Sequence, residues 1–174
     1  MKDKTPKILS IVGYHDSGKT TVVEDLIKAF VNEGFSVGTI KDIHIENFSI
    51  DKEGKDTWRH KNSGAEQVVM VTPIETNILF PKKLSLKDLL PHFCSDILII
   101  EGFSQEEVNF PRIICSRDDK EGILDHLTPN TFLISGIISD SKKEFRTIPI
   151  LNVKNKFPKI FSLVKKELNI GSKI

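Results

Sequence analysis

Cysteine is almost missing from the 174 residues: Cys94 and Cys115 are the only two. Two are too few for a disulfide-stapled scaffold, and their spacing forms no paired Cys-x-x-Cys zinc signature. Long apolar runs are missing as well. No segment approaches the ~18 residues of a membrane-spanning helix. The N-terminal Met1-Lys-Asp-Lys-Thr-Pro-Lys7 is polar and lacks the apolar stretch of a signal peptide. Charge of one sign is missing too: 25 Lys and Arg stand against 24 Asp and Glu, a formal +1. A protein that grips nucleic acid through a broad electrostatic footprint normally carries a basic excess. These absences predict a soluble, reduced, cytoplasmic setting with neither membrane nor nucleic acid as partner. One strong local anion site remains open.

What is present describes an ordinary globular chain, 39% hydrophobic and 28% charged. At roughly 150 residues per domain the length predicts one domain over residues 1–174. Folding at that size buries about 70% of the unfolded surface, so the core needs no metal or disulfide. The order of elements is informative. A short apolar run at 8–12 ends in a glycine turn, and Val22, Val23, Leu26, Ile27, Phe30 and Val31 then recur at helical spacing. Gly34 stops that helix, and 36–41 reads as a second strand, which makes a β-turn-α-β unit with parallel strands. Residues 42–56 read as a polar loop, 58–63 as a short helix capped by Asp56 or Thr57, and 66–72 with 77–80 as a hairpin. Helical periodicity over 85–93 should be stopped by Pro91. Strands are expected at 97–100, 112–115, 131–138 and 147–153, the last kept short or at an edge by Pro149, with helices at 119–127 and 155–168. Strands alternating with helices predict an α/β fold, a P-loop NTPase-type three-layer sandwich with a mostly parallel sheet.

The chemistry centres on one motif. Gly13-Tyr-His15-Asp16-Ser17-Gly18-Lys19-Thr20 matches G-x-x-x-x-G-K-[ST] in full. It follows an apolar strand and opens an amphipathic helix, the context the motif requires. Successive N–H groups of such a loop point at phosphate oxygens, and the helix N-terminus adds positive potential. Lys19 would reach the β- and γ-phosphates and the Thr20 hydroxyl would ligate Mg²⁺. Phosphoryl chemistry also needs a carboxylate near the metal. Glu101, directly after the apolar run 97–100, is the best placed, against the plainer reading of a solvated acid after a strand. The charged segment after the second strand lies where ligands bind in open α/β sheets. It holds Arg59, one of only four arginines. By composition alone the segment could equally be a solvated face.

Taken together, residues 13–21, Thr39-Ile-Lys41 with His44, Asp51 before Gly54-Lys55-Asp56-Thr-Trp-Arg59-His60, Gly64-Ala65, and Asp96 before Glu101-Gly-Phe103 resemble the molybdopterin-guanine dinucleotide biosynthesis protein B (MobB) family. The resemblance runs over residues 7–115, and Pro111-Arg-Ile-Ile-Cys-Ser116 is similar to the strand that follows that family's Glu-Gly-Phe. It implies a homodimeric GTP-binding accessory protein of molybdenum-cofactor maturation, with slow Mg²⁺-dependent GTP hydrolysis. The implied partners are a molybdopterin guanylyltransferase and, as a candidate, molybdopterin itself. Carried over by position, residues 13–21, Thr21 included, bind phosphates, and Thr20 and Glu101 serve the Mg²⁺. Lys41 with Lys55, Asp56 and Arg59 forms a second wall, and His44 is carried over as a ligand-binding residue. Lys19, Glu101 and Arg59 would carry the chemistry, Arg59 as the cation beside the transferring phosphoryl group. The chain departs from the family at Asp42 and Ile45, where a histidine-rich cluster is common and only His44 is kept.

No [NT]-K-x-D guanine signature occurs, so GTP over ATP comes from the resemblance alone. Asp140 could accept from guanine N1 and N2, or be a turn aspartate. His44 and His60 fit no tetrahedral metal spacing. Two rival readings remain: a P-loop small-molecule kinase or ligase using ATP, with Glu101 handling an acceptor, and a scaffold with a vestigial loop.

Overall fold

A computed structural model describes residues 5–104, 109–118, 122–138 and 143–171. The apolar run before Gly13 is strand β1 (Lys7–Val12), and the periodic segment behind the loop is helix α1 (Lys19–Asn32). α1 buries Val22, Val23, Leu26 and Phe30 along one stripe. The other elements are β2 (Val37–Lys41), α2 (Asp56–Asn62), β3 (Val68–Val71), β4 (Thr76–Leu79), α3 (Leu86–Leu89), β5 (Ile97–Glu101) and β6 (Arg112–Cys115). α4 (Ile123–His126), β7 (Thr131–Ser135), β8 (Glu144–Phe145), β9 (Ile148–Pro149) and α5 (Val153–Glu167) complete the order.

Five strands form one sheet in the order β2-β5-β1-β6-β7, with every pairing parallel. Strand alternation divides the core. Leu9, Ile11, Ile97, Ile99, Ile113 and Leu133 share one buried cluster with Leu26 and Phe30 of α1 and Ile160 and Val164 of α5. Val12, Ile114 and Ile134 belong to a second cluster with Ile123 of α4, Ile138 and Ile150. The expected layered α/β sandwich is therefore observed. Each fully buried Leu, Ile or Phe contributes about 1.5–3 kcal/mol, so these clusters, not surface ion pairs, hold the sheet together. β1 is central. The chain leaves it toward β2 on one side, while β6 lies on the other, so a crevice opens beyond its C-terminal end.

Several boundaries differ from the sequence expectation, each for a local reason. The strand expected at 131–138 ends at Ser135, because Gly136 at φ +96° turns the chain. The strand expected at 147–153 shrinks to β9, paired antiparallel with β8, plus one parallel bridge between Ile150 and Ile134. Pro149 has no N–H for a longer ladder. Val153 already begins α5, where the Asn152 side chain accepts from the Lys154 N–H at 2.9 Å. Lys156 leaves helical geometry (φ −127°, ψ 16°) two residues before Pro158, whose ring a regular helix would drive into the carbonyl four residues back. The helix expected at 119–127 is observed as α4, with 119–121 outside the described residues.

The chain divides into two compact units, Met1–Ile43 with Phe93–Ile174, and His44–His92. The second contains α2, the antiparallel β3–β4 hairpin and α3. Lys55, not Asp56 or Thr57, is the N-cap of α2, and Asp56 opens the first turn, where a carboxylate suits the helix dipole. Ser85 and Asp88 cap α3 reciprocally, and a 3₁₀ turn at Leu90–His92 follows where Pro91 ends the α-helix.

Candidate phosphate-binding site

The phosphate loop is gripped from two sides. Gly13 sits at φ +142°, and a Cβ there would stand 2.1 Å from the Cys115 carbonyl oxygen, so β6 passes directly behind it. Beyond β7, a Cβ on Gly136 would stand 2.1 Å from the Ser17 carbonyl oxygen. That same carbonyl accepts from the Ile137 N–H at 3.2 Å. Gly18, at φ +88°, is the N-cap of α1, and its carbonyl accepts the first helical bond from the Val22 N–H. The N–H groups of Lys19, Thr20 and Thr21 therefore have no acceptor within the helix, as at any helix start.

The cations and the carboxylate follow from register. Lys41 of β2 and Ile11 of β1 both stand opposite Glu101 of β5. Three strand ends thus meet at one carboxylate, which is buried. Glu101 Oε1 lies 3.1 Å from Lys41 Nζ and accepts from the Thr20 hydroxyl at 3.4 Å. Lys19 Nζ donates to the Tyr14 carbonyl at 2.6 Å, so the ammonium lies across the loop. Burial holds the Lys19 pKa below the ordinary lysine value, with Glu101 pulling the other way. Thr20 and Glu101 offer hard oxygen donors to one point, the chemistry that suits Mg²⁺. Such an ion usually keeps several waters and takes the rest of its shell from phosphates. Among the described residues no group of three or more His, Cys, Asp or Glu forms a metal cage, so protein ligands alone would not complete the shell.

Arg117 is a residue that the sequence reading missed. Its Nε donates to the Asp16 carbonyl at 2.9 Å, and Nη2 lies 2.9 Å from Asp16 Oδ2. Asp16 is held at φ +55°, an uncommon conformation for a residue with a Cβ. Hydrogen bonding from His15, then the charges of His15 and Arg117, lower its carboxyl pKa. His15 and Asp16 are thus engaged in shaping the loop. Tyr14 donates to Asp125 at 2.7 Å and packs on the His126 ring at 5.3 Å, which ties the loop to α4. The Cys115 thiol is fully buried and pushed up to about 12, which removes it as a nucleophile at neutral pH.

The remaining predicted residues belong to the His44–His92 unit. His44 is exposed. Arg59 Nη1 lies 3.7 Å from Asp56 Oδ1 across one helical turn. Lys55 and Asp56 line a cavity of about 570 Å³ within that unit. Asp51 fixes its wall, accepting from the Thr57 hydroxyl at 2.8 Å and facing Lys61 Nζ at 3.2 Å. Those contacts, Thr57 first, hold the Asp51 carboxyl below its ordinary pKa. Asp140 lies outside the described residues.

Residues 8–140 match the family model for molybdopterin guanine dinucleotide synthesis protein B. The molybdopterin-guanine dinucleotide biosynthesis adapter protein of Haemophilus influenzae is 38% identical over 124 residues, 68% of this chain and 67% of that one. A relative from Methanocaldococcus jannaschii is 33% identical over 121 residues, 67% of this chain but only about half (49%) of its own length. The crystal structure of Bacillus subtilis MobB superposes with a TM-score of 0.75 at 25% identity, covering 92% of this chain and 96% of that one. A MobB homolog from Bacillus stearothermophilus shares the fold at a TM-score of 0.69 and 22% identity, covering 94% and 98%.

Proposed function

Since the chain belongs to the molybdopterin guanine dinucleotide synthesis protein B family, we propose that it is an adapter in molybdopterin guanine dinucleotide biosynthesis that binds Mg-GTP at the phosphate loop and hydrolyses it slowly. The observation that carries the nucleotide part is the convergence of Thr20, Lys41 and Glu101 beside the loop 13–20. In this reading the loop N–H groups and Lys19 hold the phosphates. Thr20 and Glu101 would hold Mg²⁺, which would supply charge neutralisation to the phosphates. Glu101 is engaged by Thr20 and Lys41 together, which leaves it poorly placed to orient an attacking water. Turnover without a partner is therefore slow, below about one per minute. An adapter with such a site acts beside a guanylyltransferase, in the cytoplasm, and presents nucleotide or pterin to it. Among the described residues no helix is long and apolar enough to cross a membrane.

Titration with GTP and ATP, with and without Mg²⁺, tests the reading. GTP is expected to bind at least about tenfold tighter than ATP, and Glu101→Gln to remove most of the Mg²⁺ enhancement. Equal affinities would remove the guanine assignment. Fast acceptor-dependent phosphorylation would replace the adapter by a kinase.

The homodimer part rests on the hairpin. Val69, Val71 and Ile78 are 52%, 74% and 53% exposed on one face of β3–β4, and Ile74 at its turn is 92% exposed. Apolar side chains clustered in this way mark an interaction surface. Val71→Lys is expected to convert a dimer to monomer in sedimentation velocity while leaving GTP affinity within about twofold.

A further inference from the structure

The cavity of about 570 Å³ in the His44–His92 unit has a different chemistry from the phosphate loop. Its volume falls in the range of small-molecule sites, about 300–1,000 Å³. In the hairpin register Met70 stands opposite Asn77 and Val68 opposite Leu79. Alternation therefore sends Met70, Asn77 and Leu79 to the face opposite Val69, Val71 and Ile78. Met70 and Leu79, with Ile50 from the preceding loop, give the cavity apolar walls that suit the faces of a flat ring.

One edge of this apolar space is polar in a particular pattern. Asn77 Nδ2 donates to Glu75 Oε1 at 3.1 Å, and both residues line the cavity. A carboxylate only accepts, whereas the amide keeps a second N–H to donate. Two acceptor oxygens beside a donor complement a ring edge that carries N–H, an exocyclic amino group and a carbonyl. Lys52 and Lys55 share the same lining and supply charge for a phosphate. Asp56 is directed toward Arg59, and Asp51 is engaged by Thr57 and Lys61. Neither is the ring-reading carboxylate.

We propose that this cavity binds a phosphorylated ring with a 2-amino-4-oxopyrimidine edge, read by Glu75 and Asn77 and anchored through its phosphate by Lys52 and Lys55. Pterin and guanine share that edge. The choice between them as natural source rests on the adapter reading, whereas the site itself does not.

The full chain is titrated with 6-hydroxymethylpterin monophosphate, followed by pterin fluorescence, and separately with GMP by calorimetry. Saturable binding is expected, weakened about tenfold or more by Glu75→Gln with an unchanged circular dichroism spectrum. Lys52→Ala with Lys55→Ala should weaken the phosphate ester about tenfold but leave unphosphorylated 6-hydroxymethylpterin within about twofold. The tighter of the pterin and GMP identifies the source. Lys19→Ala separates the two sites, because ring binding in this cavity survives it. Absence of saturable binding up to about 1 mM overturns the proposal. So does an affinity indifferent to Glu75→Gln but lost in Lys19→Ala, which would put the ring at the phosphate loop. Either failure leaves GTP affinity, and hence the adapter reading, untouched.

Discussion

Lys19→Ala is expected to weaken nucleoside triphosphate binding by about a hundredfold or more, near 3 kcal/mol. The ammonium is the one lysine or arginine cation inside the motif, and charge-assisted hydrogen bonds are each worth about 1.5–3 kcal/mol. A triphosphate offers it more than one. In the free protein it is parked on the Tyr14 carbonyl at 2.6 Å, so binding exchanges a neutral acceptor for charged ones. Burial lowers its pKa. The sign follows directly: the charged form binds, so affinity falls as pH rises, and the fall begins below the pH at which an ordinary lysine would lose its proton. A bound polyphosphate pushes the pKa back up, so binding on the alkaline side takes up a proton. Fluorescent nucleotide titration across pH reads both effects, and calorimetry in buffers of different ionisation heat reads the proton. Half-buried Lys19 holds no part of the core, so the melting temperature should move little. Unchanged affinity would favour the scaffold reading, with a vestigial loop.

The loop was legible because its chemistry is written in consecutive residues, and the strand before it and helix behind it are both strongly patterned. Glu101 was legible for a related reason: a fully apolar run that ends in an acid marks a buried strand end. Lys41 opposite Glu101 needed the sheet order, in which β2 lies beside β5 although 55 residues of sequence, from 42 to 96, separate them. Arg117 had no local signal. It meets Asp16 across 101 positions, and only the pairing of β6 with β1 brings it there. Gly136 was hidden in the same way, because the carbonyl it avoids belongs to Ser17. Lys55, Asp56 and Arg59 were drawn to a nucleotide site by the resemblance. Within their own unit, Lys55 and Asp56 line a cavity and Arg59 lies beside Asp56. Pro149 shortens the last strand as its missing N–H leads one to expect, whereas the start of α5, two residues before the periodic segment, is set by the Asn152 cap.

Gly13→Ala should cost about 3–5 kcal/mol of stability, a large share of the 5–15 kcal/mol typical of a whole domain. Two penalties combine. The backbone is at φ +142°, where a residue with a Cβ pays about 1–3 kcal/mol. The added methyl would also lie 2.1 Å from the Cys115 carbonyl oxygen, and that atom belongs to a central strand that cannot swing aside as a surface side chain would. Overpacking of this kind adds about 1–3 kcal/mol. At roughly 2–4 °C per kcal/mol for a chain of this size, the melting temperature falls by about 10 °C. Gly34→Ala supplies the comparison. Gly34 is also at positive φ, +81°, but a Cβ there meets nothing within 4 Å, so it carries the conformational penalty alone, about 1 kcal/mol. Calorimetric melting of both variants separates strain from collision. If Gly13→Ala were no worse than Gly34→Ala, β6 would not pass directly behind the loop. Relief of the collision by loop displacement has its own signature: stability partly recovers while nucleotide affinity is lost, because the N–H groups that face the phosphates move with the loop.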